Sequence, residues 1–125
     1  MMPTILIVVD EEAMARWLPE HFAEAGWEVA LFRSEGEALA WFEDAELERL
    51  PDAAIVDAVL GPAAGFALIQ DIKRRSPGTF VVCASARAGA VARLKALAAG
   101  ADAYITKPFV LADIDRLLHE RCEAS

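Results

Sequence analysis

Four side chains standing at the ends of short apolar runs could act together on phosphorus. They are Asp10, Asp57, Ser85 and Lys107. The runs are Ile5 to Val9, Ala53 to Asp57, Thr79 to Ala84 and Ala103 to Thr106, and an open parallel sheet gathers its functional groups at the carboxyl ends of its strands. Two carboxylates offer the hard oxygens magnesium takes while it keeps waters on its other positions. A lysine ammonium and a serine hydroxyl can neutralise and hydrogen-bond phosphoryl oxygens, and a carboxylate can itself attack phosphorus to form an aspartyl-phosphate. The set reads as phosphoryl capture by Asp57. Singly, each residue has a plainer reading: Asp57 as a solvated strand-end acid, Asp10 as a helix N-cap, Ser85 as a loop hydroxyl.

The elements that must position these groups follow from the hydropathy pattern. The four runs, with a fifth at Glu28 to Phe32, are mostly continuous in polarity, as strands covered on both faces are. Helical spacing fills the gaps: Met14, Leu18, Phe22 and Ala25 ending at Gly26, then Leu39 and Phe42 behind a capping box at Ser34 to Glu37. Phe66, Ile69 and Ile72 stripe the third helix, with Lys73, Arg74 and Arg75 at its C-terminal end, where the macrodipole favours cations. Val91, Leu94 and Ala98 are expected to serve the core from the fourth helix, and Leu111, Ile114 and Leu118 from the fifth. Pro19, inside the first helix, is expected to kink it. Strands alternating with helices predict an α/β fold: one doubly wound, flavodoxin-like, five-stranded parallel sheet flanked by five helices.

At 125 residues the chain suits one domain with a sizeable core. Its net charge of −8 and pI near 4.7 argue against a nucleic-acid backbone as direct partner. No segment reads as a signal peptide or membrane span. Cys83 and Cys122 match no metal spacing and read as reduced thiols in a cytosolic protein. Trp17, Trp27 and Trp41 read as packing residues, His21 and His119 as solvated surface histidines, and the acids Glu43, Asp44, Glu46 and Glu48 as a solvated helix end.

Five motifs, in order and at receiver-like separations, carry a resemblance over essentially the whole chain. They are Ile5 to Glu11, Asp57 closing the third run, Ala84-Ser85-Ala86, Ala99-Gly100-Ala101-Asp102 and Lys107-Pro108-Phe109. Through them the chain resembles the receiver domain of two-component response regulators, of the CheY-like superfamily. The resemblance implies that Asp57 is the phosphoacceptor, taking its phosphoryl group from a sensor histidine kinase or a histidine phosphotransfer protein. It implies that Asp10 ligates Mg2+ directly, joined by Asp57 and the backbone carbonyl of Val59. Ser85 and Tyr104 stand at the switch positions, Lys107 at the phosphate-contacting lysine, and Lys107–Pro108 is implied to be cis. The expected protein is a single cytoplasmic receiver domain, residues 1–125, without an effector domain. It would be a monomer or weak homodimer, not an enzyme beyond its own phosphorylation and dephosphorylation, and would signal to a downstream protein target without contacting nucleic acid or membrane. The alternative is a pseudo-receiver, an interaction module that works without phosphorylation.

Three departures stand out. Receivers usually carry two consecutive acids after the first strand, and the register set by Gly26 puts Val9 and Asp10 in those slots. A register shifted to pair Asp10 with Glu11 is the second choice. With one acid replaced, magnesium affinity is expected to be weaker, with Glu11 a possible outer-shell charge. The turn Gly61-Pro62-Ala63-Ala64-Gly65 inverts the usual proline–glycine order and drops an acid. Val59 and Arg87 occupy the flanking positions that tune loss of the phosphoryl group, and apolar Val59 implies slow autodephosphorylation.

Overall fold

A computed structural model describes residues 2–43, 50–60, 63–87 and 89–124. Five parallel strands form the main sheet: β1 (Thr4–Val8), β2 (Glu28–Phe32), β3 (Ala53–Asp57), β6 (Phe80–Ser85) and β7 (Ala103–Thr106). Their spatial order is β2-β1-β3-β6-β7, so the winding direction reverses between β1 and β3. Between β3 and the helix that follows lies a short antiparallel pair, β4 (Val59–Leu60) and β5 (Ala63–Ala64), absent from the sequence expectation. The helices are α1 (Glu12–Glu24), α2 (Glu35–Glu43), α3 (Gly65–Arg75), α4 (Ala90–Ala99) and α5 (Leu111–Ala124).

Side-chain alternation along the strands builds two cores. Leu6, Val8, Ala54, Val56, Val81 and Cys83 face α2, α3 and α4, whereas Ile5, Ile7, Val9, Ala53, Ile55, Val82 and Ala84 face α1 and α5. Every side chain of β1 and β3 is buried, which is why these strands read as continuous apolar runs. On the helices, Met14, Leu18 and Phe22 of α1, Phe42 of α2, Ile69 and Ile72 of α3, and Ile114 and Leu118 of α5 point inward as expected. Ala25, expected on the inner face, is instead the exposed C-cap residue of α1. The helix runs through Pro19 as one element and ends before Gly26, whose φ of +94° suits glycine. Half of the capping box forms: Ser34 Oγ accepts the Glu37 N–H at 3.2 Å, and its hydroxyl donates to the Glu37 carboxylate at 3.3 Å.

The fourth helix reverses the expectation. Val91 is 68% and Leu94 63% exposed, and Ala98 is also exposed; the residues turned to the core are Ala96 and Ala99. Small side chains let α4 lie close to the sheet and α3, and a Cβ at Gly100, just past its end, would already come within 3.0 Å of Lys73 Cγ.

Lys73 does more than complement the α3 dipole. Its ammonium donates to the carbonyls of Pro77 at 3.1 Å and Thr79 at 2.9 Å and to Asp102 Oδ2 at 3.0 Å, while the same Asp102 oxygen accepts the Val81 N–H. One cation thus ties α3, the start of β6 and the α4–β7 turn. Lys73→Met removes all three bonds and is expected to lower unfolding stability by about 2 kcal/mol, measured as a shift of the urea midpoint.

Residues 44–49 of the acidic run and the Gly61–Pro62 turn lie outside the described residues, as does the Cys122 side chain. No helix among the described residues is long and apolar enough to cross a membrane.

Candidate functional site

Asp57 ends β3 on the sheet face shared by Ala53 and Ile55. Its side chain is almost buried, at 4% exposure for the residue, and both oxygens are occupied. Oδ1 accepts the Val59 N–H at 3.1 Å and Oδ2 accepts the Lys107 ammonium at 2.7 Å. A buried carboxylate needs such partners. Lys107 reaches it because β7 runs parallel to β6, and the Lys107 N–H bonds the Ser85 carbonyl at 2.7 Å as the chain leaves the sheet. The following Lys107–Pro108 peptide is cis, as the resemblance implied. Glu11 Oε2 lies 3.7 Å from the same ammonium, so the lysine sits between a buried and an exposed acid.

Glycine at position 65 has a reason that spacing did not reveal. α3 starts so close to β3 that a Cβ on Gly65 would lie 2.0 Å from the Asp57 carbonyl oxygen. Gly65 also donates its N–H to the Ala58 carbonyl at 2.8 Å, and Ala58 donates to the Ala84 carbonyl at 2.8 Å. The backbone around Asp57 is therefore held from both sides.

Position 9 is decided by register. Val8 pairs with Val56 in the β1–β3 ladder, so Val9 falls one step further, beside Asp57 and on the same face. Its side chain is fully buried in the α1–α5 core. Asp10 comes next and is exposed, with its carbonyl accepting a 3.0 Å bond from Arg33. Asp10 is not the N-cap of α1; Glu11 takes that position, without a side-chain capping bond.

Ser85 is buried, and its hydroxyl oxygen accepts the Arg87 N–H at 3.1 Å. The Tyr104 hydroxyl in turn donates to the Arg87 carbonyl. The two switch candidates thus meet through the backbone of one residue. Below them Cys83, fully buried, has its thiol pushed up to about 12 by burial and further by the Asp57 charge, with Lys107 partly offsetting; it stays protonated at neutral pH.

The groups that the resemblance assigns to magnesium, Asp10, Asp57 and the Val59 carbonyl, would offer it oxygen donors alone. That chemistry fits magnesium, which is usually held by one or two carboxylates and otherwise keeps water. It is not a closed cage: no group of three or more acidic, histidine or cysteine side chains that could hold a metal occurs among the described residues.

The response regulator receiver domain model matches residues 5–119. The chain belongs to this family. Among curated relatives, the phosphate regulon regulator PhoB of Rhizobium meliloti is 36% identical over 112 residues, covering 87% of this chain and 47% of its own length. KdpE of Escherichia coli is 34% identical over 117 residues, covering 94% and 50%. The chain spans about half the length of such relatives. Among solved structures, a CheY-like receiver domain protein from Methanospirillum hungatei JF-1 superposes with a TM-score of 0.83 at 28% identity, covering 100% of both chains. The BeF3-activated DrrB receiver domain gives 0.79 at 28%, covering 95% of this chain and 99% of its own. The receiver fold and the two-component signalling class are thereby established, and the sheet order and helix count agree with them.

One side chain of this receiver stands elsewhere than the sequence suggested. His21 is not a free surface histidine: its Nε2 lies 2.8 Å and 3.0 Å from the two carboxylate oxygens of Asp115, linking α1 to α5. Trp17 packs edge-on against Phe109 with ring centroids 6.0 Å apart, beside the Lys107–Pro108 loop. All three tryptophans pack against the cores, as expected.

Proposed function

We propose that this receiver domain is a phosphorylation-controlled switch in which Asp57 accepts a phosphoryl group from a phosphohistidine of a partner kinase or phosphotransfer protein. The observation that carries the reading is the buried Asp57 carboxylate paired with Lys107 at 2.7 Å. One Asp57 oxygen forms the new bond to phosphorus as the phosphorus–nitrogen bond of the donor breaks, and the imidazole leaves with that electron pair. Lys107, released from the free carboxylate, contacts a phosphoryl oxygen; Ser85 turns its hydroxyl from the Arg87 N–H to another. Tyr104, bonded to the Arg87 carbonyl, follows that backbone and relays the change to the α4 side of the sheet. Asp10, Asp57 and the Val59 carbonyl would hold Mg2+, which supplies neutralisation of phosphoryl charge. A mixture of magnesium and beryllofluoride tests the reading without a kinase. A magnesium-dependent change in tryptophan fluorescence is expected, and its absence under conditions where another receiver responds contradicts it.

The phosphoryl donor and the downstream target are proteins in this reading, the location is cytoplasmic, and the chain itself makes no nucleic-acid contact. Val59 is 62% exposed beside Asp57, and an apolar side chain there hinders the hydrolysing water. The phosphorylated protein is therefore expected to persist; radiolabel lost within seconds would contradict this.

Val9 favours the second reading, a pseudo-receiver, because a fully buried aliphatic side chain stands where an acid would support the metal. Val9→Asp separates the two readings. Burying a carboxylate in that core should cost about 2 kcal/mol without divalent cation, seen as a lower melting temperature. Added magnesium should then stabilise the variant more than the wild type. Equal magnesium responses would show that position 9 does not limit the site.

A further inference from the structure

Two of the most exposed large apolar side chains, Val59 and Val91, at 62% and 68%, line one groove. It lies between the β3–α3 connection and the first turns of α4 and encloses about 640 Å3, with Phe66, Ser85, Arg87 and Lys95 completing its lining. Val91 and Lys95 are four residues apart and so share one face of α4, and both are exposed. The chain carries a net charge of −8, yet among the described residues no carboxylate lines this groove and two exposed cations do. Two cations are too few to track a nucleic-acid backbone. Apolar walls under an exposed basic edge suit a polypeptide that buries one anchor and continues past the groove with its acids in water.

We propose that this groove docks a short acidic, apolar segment of a partner protein, its aliphatic or aromatic anchor against Val59, Phe66 and Val91 and its carboxylates meeting Arg87 and Lys95. The proposal does not depend on phosphoryl transfer, and its test uses the unphosphorylated chain. The probe is a fluorescein-labelled peptide carrying a leucine–phenylalanine pair between glutamates, followed by fluorescence polarisation. Saturable binding that weakens with added salt is expected. Lys95→Glu and Val91→Glu should each weaken it about tenfold, with melting temperatures unchanged because both side chains are exposed. No saturable binding overturns the proposal, as does equal binding of a peptide with lysines for the glutamates, or wild-type affinity in both variants. Displacement of the peptide by phenylacetate at equal concentration would reassign the groove to small organic anions. Self-association of the protein that Val91→Glu abolishes would reassign it to a second copy.

Discussion

Asp57→Asn is expected to abolish phosphoryl uptake from acetyl phosphate and the tryptophan response to beryllofluoride while leaving the fold intact. Asparagine still accepts the Val59 N–H that now reaches Oδ1 at 3.1 Å, so the turn after β3 keeps its anchor. What it lacks is the nucleophilic oxygen and the charge facing Lys107. The lysine is not stranded, because its side chain is 18% exposed and Glu11 lies 3.7 Å away. Trp17 reports the outcome, since Phe109, against which it packs, follows Lys107 by two residues. A wild-type-like response in the variant would remove Asp57 from the centre of the account.

Lys107→Met should act on both stability and chemistry. The Asp57 side chain is only 6% exposed and would keep a single backbone donor, so an uncompensated buried carboxylate remains. Breaking a buried pair from one side costs about 3 kcal/mol, read as a fall in the urea midpoint. Loss of the cation at the phosphoryl oxygens should slow uptake about a hundredfold. Combining Asp57→Asn with Lys107→Met removes both halves of the pair, and the double variant should recover part of the stability lost by Lys107→Met alone. Additive losses would mean that the 2.7 Å contact contributes no coupling.

The sheet and the strand ends were readable because buried parallel strands leave continuous apolar runs, and Gly26 set the register that put Val9 in one of the two slots where receivers carry acids; the β1–β3 ladder then places Val9 beside Asp57. The fourth helix was not. Its larger side chains, Val91 and Leu94, fit a core stripe by spacing, but close packing selects alanine, so Ala96 and Ala99 face inward. Periodicity locates a face without saying how near the neighbouring element comes. The same blindness hid Gly65, whose need for no side chain arises from the Asp57 carbonyl eight positions earlier. Lys73 with Asp102 and His21 with Asp115 are pairings across 29 and 94 positions, set by how helices dock and not by local pattern.

The central claim is that Asp57 carries the phosphoryl group, and site-resolved mass spectrometry tests it most directly. The protein is incubated with magnesium and acetyl phosphate, and its intact mass and proteolytic peptides are measured. The account predicts one added phosphoryl group, located on the peptide containing Asp57. No added group under conditions that modify another receiver, or a group on any other residue, would contradict it.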